Sequence, residues 1–193
     1  MKFTETNLPG VFIIEPQKIE DARGYFARAW CANEFVQMGI PFQPVQVNLG
    51  YSKKRGTLRG LHYQIAPGEE AKLIRCIRGA IFDVVIDLRP DSDTYKHWLG
   101  VELSANNQKM LFMPEGFAHG YQTLQDETEV FYQVSQFYAP EFERGIRWDD
   151  LGFKIQWPVT KEVILSEKDR SWPDFSDSGH DLQVDAQFER IHE

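Results

Sequence analysis

The chain has 193 residues, enough for one domain that buries a core without disulfide or metal staples. Its 42% hydrophobic and 13% aromatic content fits a strand-rich globular protein. A net charge of −8 argues against bulk binding to nucleic acid or a membrane surface, and no apolar run reaches the length of a membrane span. The N-terminus lacks the cationic-then-apolar pattern of a signal peptide, and Cys31 and Cys76 lie in different apolar contexts, so a cytoplasmic protein without a disulfide framework is expected.

Short runs rich in β-branched and aromatic residues recur between Gly, Pro and Asp clusters. Residues 11–15, 24–30 and 45–49 read as the first strands. Residues 57–64, 71–78 and 80–88 form a central group, with Arg78-Gly79-Ala80 as a tight connection. Residues 98–103, 109–113, 120–124 and 128–136 complete the set. Only residues 31–39 carry a helical pattern, ended by a glycine. Many closely spaced strands with few helices predict an all-β barrel or double-sheet jelly roll, with residues 1–175 as one domain. From 176 to 193 the sequence turns polar and acidic, and reads as a docking tail or partly disordered end.

Polar donors cluster where the strands are most apolar. His62 sits mid-strand between Leu61 and Tyr63, Arg59 precedes it by three residues, and Lys72 opens the next strand. Ideal alternation puts Arg59 and His62 on opposite faces. Both can serve one cavity only if the strand bends or bulges, and Gly60 is the residue that permits it. Pro114-Glu115-Gly116-Phe117-Ala118-His119 resembles the second cupin motif, in which a turn at Pro and Gly delivers a histidine to the barrel interior. Metal-binding cupins add an earlier H-x-H. Here the segment is His62-Tyr63-Gln64, and glutamine at the second position leaves a metal short of ligands, so no metal or other cofactor is expected.

The segments Asp21-Ala22-Arg23-Gly24-Tyr25-Phe26, Gly56-Thr57-Leu58-Arg59-Gly60-Leu61-His62-Tyr63-Gln64, Pro114 to Gly120 and Ser166-Glu167-Lys168-Asp169-Arg170 resemble the dTDP-4-dehydrorhamnose 3,5-epimerase family. So do Glu129-Val130-Phe131-Tyr132, Tyr138-Ala139-Pro140-Glu141 and the stretch from Glu143 to Trp148. The resemblance covers roughly residues 8–175. It implies a double-stranded β-helix (a cupin-like jelly roll) with short peripheral helices, usually a homodimer, acting on a nucleotide-linked 4-keto-6-deoxyhexose without metal or redox cofactor. By position it implies His62 as the base, Asp169 as the carboxylate that orients it, Lys72 as the cation near the keto oxygen, and Tyr132 as the acid on the opposite ring face. Arg23, Phe26, Arg28, Gln46, Asn48, Arg59, His119, Tyr138, Glu143 and Lys168 fall at or beside positions that hold substrate.

That chemistry needs these residue types. A C–H beside a ketone is a very weak acid, so a base and stabilisation of the enolate oxygen must act together. The implied reaction is epimerisation at C3 and C5, from dTDP-4-dehydro-6-deoxy-D-glucose to dTDP-4-dehydro-L-rhamnose. Arg28 departs from the pattern, because the family typically has a glutamate there, near the nucleotide base. Arginine only donates, which suits the acceptor edge of cytosine or a phosphate. Val47 likewise replaces a common aspartate. The alternatives are a 3- or 5-only epimerase on another nucleotide such as CDP, a metal-dependent cupin oxygenase or isomerase using His62 and His119, and a silent sugar-nucleotide binding module.

Overall fold

The computed structural model describes residues 1–176; all but the first residue of the acidic stretch read as a tail lies outside them. In chain order, β1 (Lys2–Glu5) and β2 (Phe12–Glu15) precede a hairpin of β3 (Lys18–Asp21) and β4 (Gly24–Ala27), then α1 (Ala32–Gln37). β5 (Gln46–Ser52), β6 (Leu58–Gln64), β7 (Lys72–Arg78) and β8 (Ala80–Asp87) follow. After them come β9 (Trp98–Ser104), β10 (Met110–Met113), β11 (Phe117–Thr123), β12 (Thr128–Val134), β13 (Glu143–Gly145) and α2 (Glu167–Ser171). One sheet has the order β1-β2-β10-β7-β12-β5 and the other β13-β6-β11-β8-β9, with antiparallel pairing throughout both. These are the two layers of a jelly roll, and the all-β reading holds.

Burial explains the layering. β8, Ala-Ile-Phe-Asp-Val-Val-Ile-Asp, lies between β11 and β9 with both faces covered, so it reads as a continuous apolar run. Ile74 and Cys76 of β7, Ile81 and Val85 of β8, and Val130 of β12 meet in one core cluster. Leu58, Leu61, Val84 and Ile86 form a second cluster, covered by Phe153 and Trp157 of the C-terminal loops. A third joins Phe35 of α1 to Phe42, Ile14 and Phe112, and anchors a helix that has no side-chain N-cap.

Several boundaries differ from expectation. β4 stops at Ala27 rather than 30, and β11 starts at Phe117 rather than 120, just after Gly116 (φ +84°) makes the turn. β1, β3, β13 and α2 have no counterpart among the elements expected from the sequence. β3 is exposed along its whole length and so has no apolar alternation to reveal it. α2 is one short turn begun by Ser166, whose hydroxyl accepts from the Asp169 amide at 3.0 Å.

The strand distortion that matters most is at Gly60. His119 lies opposite His62 and Tyr121 opposite Arg59, so three steps on β6 match two on β11. This is a bulge. It puts Leu58 and Leu61 in the outer core cluster while Arg59 and His62 line one cavity together. Gly60 has φ +118°, and a Cβ there would lie 2.6 Å from the Gly120 Cα and 2.8 Å from the His119 carbonyl oxygen. Only glycine fits so close a strand crossing.

Candidate active site

A cleft opens between the two sheets. Its outer lobe, about 290 Å³, is lined by Gln46 and Asn48 of β5, His62 and Gln64 of β6, Glu70, Lys72, Tyr132, Tyr138 and Glu143 among others. Its inner lobe, about 220 Å³, shares His62, Lys72 and Tyr132 and adds Arg59, His119, Tyr121 and Asp169. The strand period places them: Lys72, Ile74 and Cys76 alternate inward on β7, as do Val130, Tyr132 and Val134 on β12.

His62 Nε2 lies 2.5 Å from the Asp169 Oδ1. Asp169 is 5% exposed, and its other oxygen accepts from the Ser166 hydroxyl at 2.8 Å. Burial alone would raise the Asp169 pKa; the hydrogen bond and charge of His62, with further bonds from Ser166 and the Gly60 amide, overcome this and hold it below the usual carboxylate range. The carboxylate therefore stays ionised and accepts a hydrogen bond from Nε2–H, leaving the other ring nitrogen for a ligand.

His119, directly across the ladder from His62, has its own carboxylate: Nε2 lies 2.6 Å from the Oδ1 of Asp83, which is fully buried on β8. The Asp83 Oδ2 has no hydrogen-bond partner. Lys72 pairs with Glu70 at 2.9 Å, and Lys168 with Glu143 at 2.5 Å. Among the described residues, Arg59 donates to neutral groups, the Tyr51 carbonyl at 2.9 Å and the Ser52 hydroxyl at 3.4 Å. Among the described residues, it is the cleft cation that has no carboxylate partner, and so the one best able to meet an incoming anion.

Burial raises the Tyr132 pKa, the charge of Glu70 raises it further, and Arg59 opposes both. The phenol is thus kept protonated, as an acid must be. Tyr138, at the mouth, donates to Glu143 at 2.6 Å, and that bond is the main cause of its raised pKa. Two glutamines hold the backbone around it: the Tyr138 amide donates to Gln46 and the Ala139 amide to Gln64. Gln64 also donates to the Gly68 carbonyl at 2.8 Å, so its amide is committed to backbone. Among the described residues no group of three His, Cys, Asp or Glu side chains has a metal-binding arrangement.

Thus His62, Asp169, Lys72, Tyr132, Gln46, Asn48, Arg59, His119, Tyr138 and Glu143 converge on the cleft, and Lys168 reaches its rim through Glu143. Arg23, Phe26 and Arg28 do not line it within the chain. They lie on or just after the β3–β4 hairpin, where Arg23 pairs with Asp21, Phe26 is 67% exposed and Arg28 pairs with Glu34 at 2.9 Å. Glu70, Asp83 and Tyr121 join the site without having been expected from the sequence. Glu70 stands two residues before Lys72 in an extended approach, a spacing that puts both on one face. Asp83 is a lone charge in an apolar run, a pattern that itself marks a paired buried group.

A two-layer jelly roll whose cleft holds a histidine–carboxylate pair, an ammonium group and a protonated phenol defines an acid–base enzyme of the cupin-like class. The family model for dTDP-4-dehydrorhamnose 3,5-epimerase matches residues 5–177, and the chain belongs to that family of isomerases. A dTDP-4-dehydrorhamnose 3,5-epimerase of Methanothermobacter thermautotrophicus is 47% identical over 173 residues, covering 89% of this chain and 92% of that one. The crystal structure of the Bacillus anthracis enzyme with TDP and PPi bound superposes with a TM-score of 0.87 at 42% identity, covering 90% of this chain and 99% of the other. A dTDP-6-deoxy-D-glucose-3,5-epimerase from Legionella pneumophila in complex with dTDP-4-keto-L-rhamnose gives 0.86 at 35% identity, covering 93% and 96%.

Proposed function

We propose that this chain epimerises C3 and C5 of dTDP-4-dehydro-6-deoxy-D-glucose, giving dTDP-4-dehydro-L-rhamnose through an enolate. The observation that carries this reading is the His62–Asp169 pair facing Lys72 and Tyr132 across one cleft. His62 removes the proton next to the C4 ketone. Asp169 keeps the ring oriented and offsets the imidazolium that forms. Lys72 stabilises the charge growing on the C4 oxygen, an effect worth about 3–4 kcal/mol for a well-aimed donor. Tyr132 returns a proton on the other face, which inverts the centre. Arg59 and His119 hold the diphosphate in the inner lobe; Gln46, Asn48, Tyr138, Glu143 and Lys168 bound the sugar's side of the cleft.

The same reading includes a homodimer. Val47, Leu49 and Ile77 are exposed on the outer face of the six-stranded sheet, beside a groove of about 400 Å³ lined by Trp30, Leu73 and Phe131. A second copy covers this apolar face and places Arg23 and Phe26 of its hairpin near the cleft of the first. Arg28 has its acceptor in Glu34, which supports thymidine as the base despite the departure noted in the sequence. Among the described residues no helix is long and apolar enough to cross a membrane, in keeping with a cytoplasmic location.

The test is incubation with dTDP-4-dehydro-6-deoxyglucose in deuterated water, followed by NMR. Deuterium at both C3 and C5 is expected. Exchange at C3 alone would reduce the activity to a mono-epimerase, and none with any of the dTDP, CDP, UDP or GDP sugars would overturn the reading.

A further inference from the structure

Lys72 enters the cleft already paired. Its ammonium group lies 2.9 Å from the Glu70 carboxylate, and the two side chains are only 10% and 12% exposed. Glu70 lines the outer lobe together with Lys72 and Tyr132. A lysine side chain has four rotatable bonds and a strongly hydrated head, so an unpaired ammonium in a cleft samples many positions. A nearby buried carboxylate removes that freedom by fixing one of its three N–H groups and leaving two for a ligand oxygen.

We infer that Glu70 is a positioning residue: it holds the Lys72 ammonium where the substrate's C4 oxygen develops charge, and its own charge acts on Tyr132 across the same lobe. The inference rests on the enolate reading above. It gives the ion pair a purpose that stability does not, since a buried pair contributes little net stability. The charge of Glu70 also reinforces the burial that keeps the Tyr132 phenol protonated, against the opposing Arg59. The other charged or titratable groups that line the cleft with Tyr132 are His62 and Tyr63 on β6, Lys72 on β7, His119 and Tyr121 on β11 and Asp169 on α2, with Tyr138 and Glu143 at the mouth.

The experiment compares Glu70→Ala and Glu70→Gln with the wild-type protein by steady-state kinetics, deuterium exchange and thermal unfolding, from neutral to alkaline pH. Glu70→Ala is expected to lower kcat about 10-fold with KM within about twofold, because a mispositioned group costs transition-state stabilisation. Glu70→Gln keeps an acceptor oxygen and restores most of kcat. Its alkaline limb moves to lower pH, because the charge near Tyr132 is gone. Wild-type kcat and alkaline limb in both variants would overturn the inference, as would a rise in KM alone, which marks a direct substrate contact. If Glu70→Ala does not fold, Glu70→Gln decides: a shifted alkaline limb supports the role and an unshifted one sinks it. A wild-type protein without exchange would sink the enolate reading and this inference with it; active wild type beside indifferent variants sinks this inference alone.

Discussion

Two histidine–aspartate pairs stand side by side in this cleft, and they are built differently. His62 is 32% exposed at its side chain, and its carboxylate comes from a helix turn near the end of the described chain, with its second oxygen satisfied by Ser166. His119 is 12% exposed, and Asp83 behind it is fully buried with one oxygen unpartnered. The same two residue types therefore meet different demands. An open ring with a fully hydrogen-bonded carboxylate suits repeated gain and loss of a proton. A ring buried against a closed strand suits a fixed contact to a bound anion, beside Arg59.

The largest expected difference comes from changing each carboxylate to its amide. Asp169→Asn should lower kcat about 10³-fold, because the amide no longer enforces the tautomer or offsets the imidazolium. Asp83→Asn should cost about 10-fold in kcat/KM, mainly through KM, since it loosens a holding contact. Steady-state kinetics on the two variants check both; equal losses would erase the distinction. Next comes Gly60→Ala, which places a methyl group 2.6 Å from the Gly120 Cα at a φ of +118°. It should destabilise the fold by about 3 kcal/mol in denaturant unfolding and disturb the register that sets His62 opposite His119.

The smallest effect is acid sensitivity. The Asp169 pKa is held low in the fold despite burial, chiefly by the hydrogen bond and charge of His62, so its contribution is present above the usual carboxylate range and is lost as pH falls through the depressed value. Asp169→Asn should remove that part of the acid-induced drop in Tm, a flatter dependence of Tm on acid pH that calorimetry measures.

Much of this site was legible in the sequence because its residues sit in ordered motifs. His62, Lys72, Tyr132 and Asp169 stand out through the resemblance of their motifs to the epimerase family, whereas the bend demanded at Gly60 follows from strict strand alternation. Glu70 and Asp83 were less visible. Each becomes meaningful only through a partner, and strand pairing decides which faces meet. Arg23, Phe26 and Arg28 read as neighbours of the cleft, yet their hairpin stands apart from it within the chain, and no local pattern marks where a hairpin packs. The strand from Lys18 to Asp21 and the turn of helix at Glu167–Ser171 escaped because short, exposed elements carry no periodic signal.

The central claim is that His62 moves protons while His119 holds substrate. The direct measurement is the rate of deuterium entry at C3 under saturating dTDP-4-dehydro-6-deoxyglucose, for His62→Asn and His119→Asn side by side. The account predicts that exchange is lost in the first at any substrate concentration, and recovers toward the wild-type rate in the second once substrate saturates. Recovery in His62→Asn, or loss at saturation in His119→Asn alone, would contradict it.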